Sequence, residues 1–338
     1  MTPREVVRTA LEHRRPPYVP WQLGFTHEAA STLAAHYGVD KPALQLRNHF
    51  LSLDSGLGSY EAVGDSCYRD RFGVVWDRSI DKDIGVVKGS VLPQPSLADY
   101  AFPEPDAEAL SRRLAQQIEQ HADRFRVFSI GFTLFERAWT MRGMQNLMID
   151  FMERPDFVNE LLDALVELNI RFVRVALACD IDCVHFGDDW GQQHGLLMGP
   201  RVWREFFRPR LARMYAVVKA AGKYVSIHSC GDVDELFDDL VDIGLDLFNP
   251  FQPEVMDVFA LKRAYAGRLA FHGGLSTQRT LPYGTPRQVR EETQRLLECG
   301  RQGGYVFAPA HAVEGDVPLQ NMLAFIEVLH SQPGFQAA

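Results

Sequence analysis

A histidine and a cysteine one residue apart, His228-Ser229-Cys230, carry the sharpest chemical signal in this 338-residue sequence. Imidazole and thiolate are preferred zinc ligands, and a one-residue spacer just past a strand can aim both at a common point. The same pair also fits a buried imidazole bonded to a backbone carbonyl beside a small buried thiol. Gly231-Asp232 follow, allowing a tight turn and adding a carboxylate. A catalytic zinc needs a third protein ligand and commonly keeps one position open. His311, in the turn Pro309-Ala310-His311, is the candidate; its other reading is a histidine that orients a substrate without metal. Asp188 and Asp189 offer a carboxylate ligand, a general base or a partner that fixes the tautomer of His228, against the plainer role of helix capping. His272 precedes Gly273-Gly274, where backbone freedom allows close approach of a ligand, so catalysis, substrate contact and turn-making all stand open.

These residues need strands to hold them. Eight short apolar runs recur with helix-length segments between several of them: 19–23, 49–53, 126–132, 182–187, 224–228, 245–248, 269–271 and 305–308. That alternation predicts parallel strands joined by crossover helices. No Gly-rich phosphate turn follows the first run, so a single (β/α)8 TIM barrel spanning residues 1–338 is expected over an open doubly wound sheet. An N-terminal helix, 3–13, is expected to pack outside it, and residues 65–105, with RFGVVWDR, DKDIGVV and several prolines, read as an inserted antiparallel hairpin plus loop. Of eleven histidines, five (His27, His185, His228, His272 and His311) fall in or just after strand ends. That is the face on which barrel enzymes keep their sites.

Composition narrows the partners. Acids outnumber bases 44 to 35, a net charge of −9, which argues against nucleic acid or an anionic lipid surface. Five scattered cysteines do not resemble a disulfide framework, and no run approaches a membrane span or a secretory signal, so a cytoplasmic enzyme is the expectation.

Five segments together resemble the uroporphyrinogen decarboxylase superfamily: ALEHRRPPYVPW, GDDWG, HSCGDVDELFDDLVDIGLDLFNPFQPE, FHGGLSTQ and GGYVFAPAHAVEGDVPLQNM. The resemblance runs over nearly the whole length. It implies a (β/α)8 barrel, a homodimer, and either a decarboxylase of haem synthesis or a zinc methyltransferase working with corrinoids. The decarboxylases carry an arginine-bearing motif like RQAGR after the first strand, and this sequence has WQLGFTHEAA there, without the clamp a polycarboxylate needs. FHGGLS stands where they have QGNLDP, while His311 stands where they have the histidine of LGHG. The methyltransferase branch holds zinc with a His-x-Cys pair, matched by His228 and Cys230, and a later cysteine, whose place His311 takes. The expectation is therefore a zinc-dependent methyltransferase with zinc on His228, Cys230 and His311, and with Asp188, Asp189 and His272 as catalytic or substrate groups. The corrinoid sits on a separate protein, since no DxHxxG pattern occurs here. The alternatives are a metal-free decarboxylase of uroporphyrinogen or a smaller acid, and a non-catalytic barrel that binds a corrinoid or tetrapyrrole.

Overall fold

The computed structural model describes residues 1–336. Seven strands form one curled parallel sheet in the order β1-β6-β7-β10-β11-β12-β13: β1 (Phe50–Asp54), β6 (Phe125–Ile130), β7 (Cys183–Gly187), β10 (Tyr224–His228), β11 (Leu247–Phe251), β12 (Ala270–Leu275) and β13 (Tyr305–Pro309). Seven of the eight runs read from the sequence are these strands, shifted by a few residues.

The eighth run corrects the expected count. Residues 19–23 join β13 by one isolated parallel bridge, Trp21 to Phe307, and form no ladder. Pro20 has no N–H to give one. Side-chain amides replace the missing pairing: Asn48 Nδ2 donates to Leu23 O and Asn48 Oδ1 accepts from Leu23 N, each at 2.8 Å, and Phe50 N donates to Gln22 Oε1 at 3.1 Å. Phe307 N donates to Pro20 O at 2.8 Å and His49 N to Trp21 O at 3.1 Å, so this segment ties the two edge strands together without being an eighth strand.

Residues 60–88 form a four-stranded antiparallel sheet, β2 (Tyr60–Gly64), β3 (Cys67–Asp70), β4 (Val75–Asp77) and β5 (Val86–Lys88), larger than the hairpin expected and starting earlier. A buried ion pair, Arg137 to Asp70 at 2.7 Å, pins it to the helix Phe135–Arg142, with the Arg137 guanidinium 3.9 Å above the Phe72 ring. Two-residue strands β8 (Gly191–Gln192) and β9 (Gly195–Leu196) make a small ribbon beyond β7.

The N-terminal helix, Pro3–Leu11, starts on a capping box between Thr2 and Glu5 with proline in its first turn. It does not pack against the outer face of the curled sheet. Val7 and Leu11 pack with Phe125, Val127, Cys183, Leu247, Ala270 and Val306, closing the N-terminal end of the sheet with an apolar floor. Arg4 and Arg8 hold it there through the buried Asp182 carboxylate.

Above that floor the inward positions turn polar. Parallel register places Ser129, His185 and Ser226 side by side, then Gly187, His228 and Asn249 one layer higher. His272 lies beside Val306 on the opposite wall. Among the described residues, no helix is long and apolar enough to cross a membrane.

Candidate metal centre

Strand alternation explains the His-x-Cys spacing. His228 points inward from the end of β10, and Cys230, two residues on, falls on the same side. His311 reaches them from the turn after β13, which is anchored by Ala310 N donating to Leu275 O at 2.8 Å. One ligand atom from each of the three lies within 4.8 Å of the other two. His228 Nε2 is 3.2 Å from Cys230 Sγ, and the two imidazole centroids are 6.2 Å apart. Zinc–nitrogen and zinc–sulfur bonds of about 2.0 and 2.3 Å at a tetrahedral angle separate such donors by about 3.5 Å, so the set fits a zinc ion with small adjustments.

The tautomer of His228 is fixed by its neighbours. Asn249 Nδ2 donates to the His272 carbonyl at 3.0 Å, and a carbonyl can only accept, so Asn249 Oδ1 faces His228 Nδ1 at 2.6 Å as an acceptor. Nδ1 carries the proton and Nε2 presents its lone pair toward Cys230. This is the orienting arrangement that metal-bound histidines require.

The backbone under Cys230 is equally constrained. Asp189 Oδ1 accepts the Cys230 N–H at 2.8 Å and lies 3.7 Å from His228 Nε2. Gly231 has φ of +87°, and a Cβ there would sit 2.4 Å from the Gly191 carbonyl carbon and 2.5 Å from Gln192 N. Substitution Gly231→Ala is therefore expected to push the ribbon at Gly191 away and move Cys230. We expect stability to fall by about 2 kcal/mol and zinc affinity by about tenfold or more, read by thermal melting and chelator competition. Unchanged affinity would show that this loop does not set the site.

Burial, with the carboxylates of Asp189 and Glu136 adding to it, pushes the Cys230 thiol well above its ordinary range. Glu136, at the start of the helix Phe135–Arg142, escaped the sequence reading. Its own carboxyl is held well above the usual range by burial first and then by Asp189 and Asp188. Only its position just after a strand hinted at it. Asn249 was missed too, because its role depends on the register of β10 against β11.

The two aspartates part company. Inward positions on β7 are His185 and Gly187, so Asp188 points out of the lumen and Asp189 toward the mouth. Asp188 is fully buried and accepts from the Leu134, Phe135 and Glu136 N–H groups at 3.3, 3.0 and 2.8 Å and from Trp190 Nε1 at 2.7 Å. It caps the helix Phe135–Arg142. Burial raises its pKa to about 6 despite these donors. His272 lies deeper in the lumen than the His228, Cys230 and His311 cluster, 5.3 Å from the Phe50 ring by centroid. A small cavity of about 200 Å³ opens beside Cys230 and His311, bordered by Gln192, Gln252, Thr277 and Gln278.

Comparison with known proteins agrees with this architecture. Uroporphyrinogen decarboxylase of Methylococcus capsulatus is 25% identical over 256 residues, covering 69% of this chain and 68% of that protein. The methylated-thiol–coenzyme M methyltransferase of Methanosarcina mazei is 22% identical over 199 residues, 59% of this chain and 51% of its own. Uroporphyrinogen decarboxylase of Psychromonas ingrahamii is 22% identical over 180 residues. The chain spans about half the length of the last two relatives, 51% and 49%. The solved structure of a methyltransferase from Methanosarcina mazei superposes over 97% of this chain and 98% of its own with a TM-score of 0.74 at 17% identity, which shows a shared fold. Residues 109–332 match the uroporphyrinogen decarboxylase (URO-D) family model, and the chain belongs to that family.

Proposed function

We propose that this protein is a zinc-dependent methyltransferase whose metal is held by His228, Cys230 and His311 and whose methyl-carrying partner is a corrinoid on a separate protein. The observation that carries this reading is the convergence of those three ligand atoms within 4.8 Å, with the His228 lone pair aimed by Asn249. When bound, zinc supplies a Lewis acid that lowers the pKa of a thiol or polarises an ether-like methyl carrier. Asn249 holds the His228 ring, and Asp189 holds the backbone of Cys230 while standing close enough to the mouth to take the acceptor's proton as the methyl group transfers. His272 and His185 line the lumen where the substrate lies.

A decarboxylase acting on uroporphyrinogen needs cations for many carboxylates. None of the inward strand positions, from Phe50 and Ser52 on β1 round to Val306 and Ala308 on β13, is lysine or arginine. This favours methyl transfer over that reaction.

Protein purified without chelator is expected to hold close to one zinc per chain and to demethylate methylcobalamin in the presence of a thiol. The Co–C bond breaks, an S–CH3 bond forms and the thiol proton is released, followed by the cobalamin absorbance change. Less than about a tenth of an equivalent of zinc, with turnover of uroporphyrinogen instead, would replace this reading with the decarboxylase.

A further inference from the structure

The cavity beside Cys230 and His311 has an unpartnered donor in its wall. Gln252 follows β11 directly, borders the cavity and is only 7% exposed. The Gly231 N–H donates to its Oε1 at 3.2 Å. A backbone N–H can only donate, so the amide cannot be turned over and its NH2 lies at the other end. That Nε2 has no hydrogen-bond partner among the described residues and is not sealed from solvent. Buried side-chain amides are ordinarily paired. Here one end is paired, and the other is left for whatever enters the space next to two proposed metal ligands.

The frame around this donor is fixed before any ligand arrives. On one side Asp232 N donates to Gln192 O at 2.8 Å, tying the β8–β9 ribbon to the loop after Cys230. On the other, Gln278 N donates to Glu254 Oε1 at 3.3 Å and Arg279 Nη2 to Pro253 O at 3.1 Å, holding the turn after β12 against the segment after Gln252. A preformed donor loses little freedom when it is used. The space measures about 200 Å³, and at about 30 Å³ for each water-sized group it admits about six non-hydrogen atoms.

We propose that Gln252 Nε2 donates to an oxygen acceptor on the non-reacting end of a small polar reactant whose other end faces Cys230 and His311. This rests on those two residues marking the reaction site, and it narrows the reactant to a molecule of about six non-hydrogen atoms that bears a carbonyl or carboxylate oxygen.

Titration with acetamide, acetate and methylammonium tests it, followed in 1H–15N spectra by the side-chain amide peak of Gln252, which is assigned by its loss in Gln252→Met. Acetamide or acetate is expected to shift that peak saturably, and which of them binds more tightly distinguishes a neutral carbonyl from a carboxylate. Methylammonium, which only donates, is expected to leave it unmoved. Gln252→Glu keeps an oxygen for the Gly231 N–H but replaces the donor with an acceptor. With wild-type melting, it is expected to bind acetamide about tenfold more weakly, read from the Gly231 amide peak. A residue that only supported the Gly231 turn would show no such loss. Gln252→Met, which adds no charge, is expected to weaken acetamide by a similar factor. The acceptor shift is expected in chelator-treated and zinc-loaded protein alike, so failure of the metal reading and failure of this one are separable. A Gln252 peak unmoved by both acceptors, an equal shift with methylammonium, or wild-type acetamide affinity in Gln252→Glu would overturn the assignment.

Discussion

Cys230→Ser and His228→Ala are each expected to lower zinc affinity by at least about a hundredfold and to abolish the proposed methyl transfer, while the protein stays folded. Zinc bonds a thiolate far better than a serine hydroxyl, and removing one of three protein donors leaves two, too few for tight binding. The fold does not depend on the cluster, because His228 and Cys230 sit at the rim and the floor below is closed by Val7, Leu11 and their partners. His311→Ala is expected to fall between these two and wild type, since His311 is the more exposed ligand and comes from a separate loop. Chelator competition with circular dichroism on the same samples separates loss of metal from loss of structure. Wild-type zinc affinity in Cys230→Ser would remove Cys230 from the centre.

Asp188→Ala is expected to cost about 3 kcal/mol at pH 7, the largest stability effect near the site, without touching the metal directly. The substitution strands the Leu134 and Phe135 N–H groups, both buried, the partly buried Glu136 N–H and the buried Trp190 indole N–H, and each unpartnered buried donor costs about 1–3 kcal/mol. Removing the ionised carboxylate offsets part of this, because burial raises its folded pKa to about 6 against an ordinary 3.8. An acid whose folded pKa is raised binds its proton more tightly in the native state, so its contribution is greatest below the unfolded value and declines as pH rises through about 6. The stability gap between wild type and Asp188→Ala should therefore widen as pH falls from 7 to 5, measured by urea denaturation at each pH. A gap that narrowed over that range would show the carboxylate to be ionised more readily in the native protein than in the unfolded chain.

Much of this was legible in the residues themselves. The apolar runs located seven strands, and period-two alternation at the end of β10 explains why His228 and Cys230 share a side. The same alternation, applied to β7, separates Asp189 from Asp188 and shows which of the two only caps a helix, Asp188. The run at 19–23 looked like a strand by composition; Pro20 and the amides of Asn48 and Gln22 show why its pairing is made by side chains instead. Asn249 and Glu136 were hidden because their roles arise from contacts between elements. Asn249 meets His228 through the β10–β11 register, and Glu136 meets Asp189 because Asp188 caps its helix across from β7. The N-terminal helix was visible from its amphipathic pattern, but its place under the curled sheet depends on Arg4 and Arg8 finding Asp182.

Zinc K-edge X-ray absorption on protein purified without chelator is the most direct test of the centre. One sulfur at about 2.3 Å with two imidazole nitrogens at about 2.0–2.1 Å is the predicted first shell. A shell of oxygen and nitrogen alone, or no stoichiometric zinc, would contradict it.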